Sequence, residues 1–165
     1  MPATRHATVT LQDGLAFQAI VGSGHAVTMD ASAAHGGQDR GASPMELLLA
    51  SLGGCTAIDV ASILSKMRQE VTAYRVEVVG TRRDEHPQVF TDIRVEHILC
   101  GPNLDPDRVA RAVELSATRY CSASAMLSAV ARVEHTYRIE PEPAPASPAS
   151  QRPEPAAYRA PEPPA

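Results

Sequence analysis

Alternating and clustered apolar positions predict strands at the start of the chain and helices further on. β-Branched and apolar residues form short runs at 8–11 and 15–21, which the pair Asp13-Gly14 joins in a manner typical of a tight hairpin. A third run follows at 26–29, and a loop rich in glycine and small residues covers 31–42.

A long helix is predicted from Pro44 to about residue 66. Ser43 is placed to cap it, Pro44 suits its first position, and Glu46 completes a capping-box pattern. Its apolar residues occur on most sides, as in a helix buried within a domain. Two further strands are expected at about 74–82 and 90–99, a second helix at about 105–131 and a last strand at about 132–139. The order βββ-α-ββ-α-β predicts an α+β fold with antiparallel sheets.

The end of the chain has a different composition. Residues 141–165 hold nine of the 14 prolines and almost no large apolar side chains. Such a segment buries too little surface to offset its ordering entropy, so a disordered Pro/Ala-rich tail is predicted at 141–165. Residues 1–140 are long enough for one domain with its own core.

Charge and hydropathy restrict the class of partner. The formal net charge is −4 and no segment forms a basic stripe, which argues against nucleic acid. No membrane partner is expected, because no run approaches the ~18 apolar residues of a bilayer span and the N-terminus lacks the apolar core of a signal peptide. We expect a cytoplasmic protein, whose thiols are normally kept reduced.

Two cysteines in the predicted helices are the first candidates for chemistry. At 100° per residue, Cys55 shares an arc of about 80° with Ser51, Asp59, Ser62 and Lys66, a polar stripe on an otherwise apolar helix. Cys121 ends a mostly apolar row on the second helix, so it should face the core. If the two helices cross near these residues, the thiols can alternate with a disulfide. Either cysteine also fits a packing role, and Cys100, at a strand end, is interpreted as structural.

A reactive thiolate at Cys55 needs a nearby cation, because Asp59 one turn away disfavours its negative charge. Arg40, in the loop before the helix, is the candidate, with Glu46 as a residue that orients it. Glu46 lies about 13 Å along the helix from Cys55 and on its opposite side, so its capping role is an alternative. The histidines form no metal-binding spacing and no metal or cofactor is assigned. A Cys–His pair for acyl transfer stays open.

The motifs SPMELLLASLGGC around Cys55 and ATRYCSAS around Cys121, with VARAVELSA between them, resemble the OsmC/Ohr family of thiol-dependent hydroperoxide reductases. The resemblance covers about residues 5–140 and is closest to the YhfA-like branch. It implies an intertwined homodimer whose sheets wrap two central helices. It also implies a peroxidatic role for Cys55 and a resolving role for Cys121. In better-studied members a Glu directly follows the proline that opens the helix, whereas here Met45 holds that position and Glu46 follows.

The function predicted from the resemblance is reduction of organic hydroperoxides by a two-cysteine mechanism. A cellular dithiol would be the external reductant, and no bound cofactor is implied. The alternative is a dimeric redox sensor or small-molecule-binding protein without efficient turnover.

Overall fold

In the computed structural model, residues 4–141 are described. Within them the elements follow the predicted order, with the second helix divided in two. The α+β class is therefore confirmed. The predicted tail at 141–165 lies, apart from residue 141, outside the described residues. The strands are β1 Ala7–Asp13, β2 Ala16–Val21, β3 Ala26–Met29, β4 Ala73–Arg82, β5 Phe90–Cys100 and β6 Arg132–Glu140. The helices are α1 Pro44–Lys66, α2 Pro106–Leu115 and α3 Ser122–Leu127.

The first sheet is an antiparallel meander of β1, β2 and β3. Gly14 has a φ of 57°, a conformation that glycine adopts at little cost, and the predicted hairpin at this turn is confirmed. Strand β1 is exposed along its whole length, including Val9 and Leu11, each more than half exposed. The three strands pack chiefly on one another, so this sheet has little core of its own within the chain.

The second sheet has the order β4-β5-β6 and is mixed. Strands β4 and β5 are antiparallel, but β5 and β6 are parallel, which corrects the expectation of antiparallel sheets. The helical segment between β5 and β6 carries the chain back along the sheet, and such a crossover connects parallel strands. The predicted alternation in β5 is confirmed, since Ile93, Val95 and His97 are all buried.

Helix α1 packs against β4 and α2 through one side. Its start is as predicted: Ser43 and Glu46 form the capping box, with Pro44 in the first turn. Leu52, Val60 and Leu64 are completely buried on this side. The expectation that α1 is buried on most sides is wrong for the single chain, because Ile58 on another side is 73% exposed.

The second predicted helix is interrupted, which corrects its description as one helix from 105 to 131. After α2 the chain widens into a π-helical turn over Ser116–Tyr120, closed by a hydrogen bond from the Cys121 N–H to the Ser116 carbonyl at 2.9 Å. Cys121 is then extended, with ψ of 104°, and α3 begins after it. No glycine or proline lies at this break, and the side chain of Ser116, which begins the π-helical turn, makes buried contacts with α1. Such turns recur at functional sites.

By length and composition alone, α1 meets the criteria for a membrane-spanning helix, so the expectation that no run is apolar enough to span a bilayer is wrong. Core helices of proteins that do not enter membranes meet the same criteria. Here the helix packs on a sheet and carries a cluster of polar side chains.

Candidate functional site

The structure brings Cys55 and Cys121 together. Both are free thiols, and their Sγ atoms and one carboxylate oxygen of Asp59 all lie within 4.8 Å of one another. Cys55 and Asp59 lie one turn apart on α1, as their four-residue spacing requires. Cys121 is buried and Cys55 half-buried against a core that includes Leu52. The site therefore lies where an apolar core meets a small polar cluster.

Two buried hydroxyl groups support the carboxylate of this cluster. Ser116 Oγ donates to Asp59 Oδ2 at 3.3 Å and shares a 2.8 Å hydrogen bond with Thr56 Oγ1. Thr56 and Ser116 are fully buried, and both hydroxyls are paired. The π-helical turn thus fixes Asp59, a residue of the polar stripe predicted on α1, from the opposite helix.

The N-terminus of α3 adjoins the sulfurs. Cys121 caps this helix, and its Sγ accepts a hydrogen bond from the Ser124 N–H at 3.4 Å. The backbone N–H of Ala123 interacts with Cys55. The predicted burial of Cys121 is confirmed, but it follows from this capping position and not from a row along a continuous helix.

The environment of Cys55 disfavours its thiolate. Burial raises the pKa of the Cys55 thiol above its ordinary value, and the Ala123 N–H acts in the opposite direction. The neighbouring Cys121 and the negative charge of Asp59 raise this pKa further. The effect expected of Asp59 from the sequence is therefore found. Among residues 4–141, no ion pair includes Asp59.

The other two candidate residues have partners of their own within the chain. Arg40 donates from Nη2 to Asp13 Oδ2 at 2.9 Å, and its Nε lies 3.9 Å from the buried Asp30 carboxylate. Glu46 accepts hydrogen bonds from the Ser43 backbone N–H and hydroxyl, each at 2.7 Å. These bonds lower the pKa of Glu46. The capping interpretation of Glu46 is confirmed, and participation of Arg40 and Glu46 in the chemistry of Cys55 stays a prediction.

A chain of hydrogen bonds leads from Ser124 through the second sheet. Ser124 Oγ is 3.1 Å from His135 Nε2, His135 Nδ1 is 3.3 Å from His97 Nε2, and His97 Nδ1 is 2.6 Å from Tyr74 Oη. Burial, together with the neighbouring His135, lowers the pKa of His97 to about 4. Burial also lowers the pKa of His135 and raises that of Tyr74. This network is therefore uncharged at neutral pH.

An open groove of about 490 Å³ runs between α1 and β4. Its floor is largely apolar, and polar groups of Glu46, Tyr74 and Arg75 lie at its margins. Gly53 allows β4 to approach the helix: a Cβ there would lie 3.0 Å from the Val78 side chain, whereas Gly54 has nothing within 4 Å. Gly53 therefore lets a strand pack closely on the helix, and Gly54 has no such role within the described residues.

Sequence reasoning missed the supporting residues of the site. Asp59 was recognised only as an obstacle to ionisation, and Thr56, Ser116 and Ser124 were not singled out. A serine or threonine at an apolar position of an amphipathic helix is the one signal that could have found Thr56 and Ser116. That signal could not have shown that the two residues, 60 positions apart in sequence, pair with each other.

Comparison with known proteins places the chain in a family. A family model described as OsmC-like protein matches residues 36–136. Protein YhfA of Escherichia coli strain K12 is 42% identical over 133 residues, which are 81% of this chain and 96% of that protein. A hypothetical protein from Aquifex aeolicus VF5 superposes with a TM-score of 0.76 at 29% identity, covering 86% of this chain and all of that one.

A more distant neighbour has the same fold. An organic hydroperoxide resistance protein OsmC from Legionella pneumophila superposes with a TM-score of 0.64 at 12% identity, covering 82% of this chain and 96% of that one. The family model and the similarity to YhfA decide the assignment, and this chain belongs to the OsmC/Ohr family of OsmC-like proteins.

Proposed function

We propose that the protein is a thiol-dependent peroxidase that reduces organic hydroperoxides with Cys55 and Cys121. The observation that carries the proposal is the proximity of the two sulfurs within a cluster no wider than 4.8 Å. A disulfide needs its sulfurs about 2.05 Å apart, so the two sulfurs have to approach by less than about 3 Å to form the bond. Names of family neighbours that refer to hydroperoxide resistance support this reaction class.

The reaction has three steps. The Cys55 thiolate attacks the peroxide oxygen, the O–O bond breaks, and an alcohol leaves after taking up a proton, with Cys55 as sulfenic acid. The Cys121 thiol then attacks the Cys55 sulfur, forming the disulfide and releasing water. An external dithiol reduces the disulfide by exchange and restores both thiols. We place this cycle in the cytoplasm, where such dithiols are available.

Half-burial of Cys55 favours the roles assigned to the two cysteines. Cys55 is reached by solvent, whereas Cys121 is only 3% exposed, so a hydroperoxide meets Cys55 first. The buried Cys121 thiol then lies next to the Cys55 sulfenic acid and can react with it. Ala123 supplies a backbone N–H that favours the Cys55 thiolate, although the net shift of its pKa is upward.

A second copy of the chain is part of the proposal. The apolar side of α1 that carries Ile58 and the fully exposed strand β1 leave hydrophobic surface uncovered in one chain. A homodimer in which these surfaces meet covers both. Arg40 of the partner subunit is then a candidate cation for Cys55. Sedimentation velocity should give twice the mass of one chain, and a monomer at micromolar concentration would contradict this part of the proposal.

A redox sensor or small-molecule-binding protein is the second candidate. The raised pKa of Cys55 favours it, because a thiol that is mostly protonated reacts slowly with peroxide. The apolar groove between α1 and β4 offers a place for a ligand.

Turnover separates the two functions. With cumene hydroperoxide and an excess of a dithiol, the proposed enzyme should consume many equivalents of peroxide per chain. Cys55→Ser should abolish consumption, Cys121→Ser should allow one oxidation that leaves a trappable sulfenic acid, and Cys100→Ser should behave as wild type. Consumption that stops after one equivalent in the presence of reductant would favour the sensor.

A further inference from the structure

Cys55, Cys121 and Asp59 also have the composition and spacing of a metal site. Their three ligand atoms lie within 4.8 Å of one another. Two thiolates and a carboxylate are among the groups that bind Zn²⁺, with Zn–S distances of about 2.3 Å and Zn–O distances of about 2.1 Å. Around a tetrahedral ion two such sulfurs are about 3.8 Å apart, so the cluster needs to contract by roughly 1 Å at most. The fourth position would be left to water or another small ligand.

The cluster also has the supporting shell that metal sites require. Ser116 Oγ, on a fully buried residue, donates to Asp59 Oδ2 at 3.3 Å, and Thr56 in turn holds the serine. The Ser124 N–H donates to Cys121 Sγ at 3.4 Å. Hydrogen bonds of this kind orient ligands and stabilise thiolates, and they exist here before any metal binds.

Charge favours a cation at this position. With both thiols ionised, the three ligands carry three negative charges, and no Lys or Arg within the described part of the chain forms an ion pair with Asp59. Two ligands come from successive turns of one helix and the third from the cap of another. The site is therefore fixed by secondary structure and does not depend on a loop.

We propose that Cys55, Asp59 and Cys121 bind one thiophilic divalent cation, Zn²⁺ in particular, when both cysteines are reduced. Binding forms two metal–sulfur bonds and one metal–oxygen bond and releases the two thiol protons, without electron transfer. The same sulfurs cannot hold the metal and form a disulfide, so metal binding and oxidation exclude each other. The proposal does not depend on peroxidase activity.

Cobalt provides the test, because Co²⁺ bound by thiolates absorbs in the near ultraviolet. Reduced full-length protein titrated anaerobically with Co²⁺ should show this charge-transfer absorption with a stoichiometry of one ion per chain, and Zn²⁺ should displace it. Cys100→Ser, whose cysteine lies outside the cluster, should match wild type. Cys55→Ser and Cys121→Ser should lose the wild-type absorption. Ser116→Ala should weaken binding by about tenfold to a hundredfold, and Asp59→Asn, which removes a ligand, should weaken it at least as much.

Wild-type protein supplies a control that does not depend on whether a substituted protein folds. Oxidation with diamide, which requires no peroxidase activity, should abolish the cobalt absorption, and reduction should restore it. Absence of charge-transfer absorption in reduced wild type, or unchanged absorption in both Cys55→Ser and Cys121→Ser, would overturn the proposal. Because no peroxide is used, these results are independent of the turnover assay.

Discussion

Cys121 Sγ accepts the backbone N–H of Ser124 at 3.4 Å, so the sulfur that lies beside Cys55 also caps helix α3. Ser124 contacts this sulfur through its backbone N–H and contacts His135 Nε2 through its hydroxyl at 3.1 Å, so one residue joins the thiol pair to the histidines of the second sheet.

Oxidation should link Cys55 to Cys121. One molar equivalent of hydroperoxide added to reduced protein should produce this disulfide, because the two sulfurs are neighbours, whereas Cys100 is buried at the far end of β5. Peptide mapping by mass spectrometry without reduction checks the linkage. Cys100→Ser should give the same linked peptide, and a dominant disulfide that contains Cys100 would refute the pairing.

Removal of the Asp59 charge should activate Cys55. Asp59 contributes to the raised pKa of this thiol, so Asp59→Asn should lower that pKa and speed alkylation at pH 7 several-fold. At high pH, where the thiol is ionised in both proteins, the rates should converge. Glu46→Gln is the matched control, since it removes a carboxylate from the same helix about 13 Å away. Equal effects of the two substitutions would exclude a local charge effect.

Arg40→Ala tests the cation predicted from the sequence. If Arg40 assists Cys55 across a dimer, its removal should raise the pKa of the thiol and slow alkylation between pH 6 and 7, with little change above pH 9. Asp13→Asn provides a comparison that removes the 2.9 Å ion pair but keeps the guanidinium. Identical alkylation profiles for wild type and Arg40→Ala would leave Arg40 only the role of tying its loop to the first hairpin.

His97 should make the protein less stable in mild acid. Its pKa is about 4 in the folded protein, below the ordinary histidine value of about 6.5. Between these values the unfolded chain binds a proton that the folded chain does not, so stability falls as pH falls. The total loss is about 3 kcal/mol. Urea unfolding at pH 7 and pH 4.5 should show a smaller loss for His97→Gln than for wild type. His25→Gln, at an exposed turn, should keep the wild-type loss; equal losses for all three would contradict the prediction.

Thr56 and Ser116 should be coupled in stability. Ser116→Ala leaves the buried Thr56 hydroxyl without this partner and should cost about 1–3 kcal/mol. Thr56→Val should cost less, because Ser116 Oγ keeps its hydrogen bond to Asp59. The double variant should be less destabilised than the sum of the two, because both polar groups are then absent. Denaturant unfolding of the four proteins measures the coupling. Additive losses would show that the hydroxyl pair contributes no mutual stabilisation.

Local sequence patterns were enough to predict most of the elements and the two thiols. Periodicity located the strands, the Ser43–Glu46 capping box defined the start of α1, and the Cys55–Asp59 spacing placed both side chains on one face of it. These features depend on interactions between residues a few positions apart, which local patterns record. The family motifs around Cys55 and Cys121 are local sequence patterns too.

The assembly of the site depends on contacts between distant segments, which no local pattern records. Two contacts join segments that are distant in sequence: the parallel pairing of β5 with β6 and the hydrogen bond of Ser116 to Asp59. The break before Cys121 follows directly after Ser116 and its turn. The apolar period continues through the break, so local propensity favours one helix there. The buried hydroxyls of Thr56 and Ser116 need partners, and they find each other across the core, where the π-helical turn packs on α1 beside the two sulfurs.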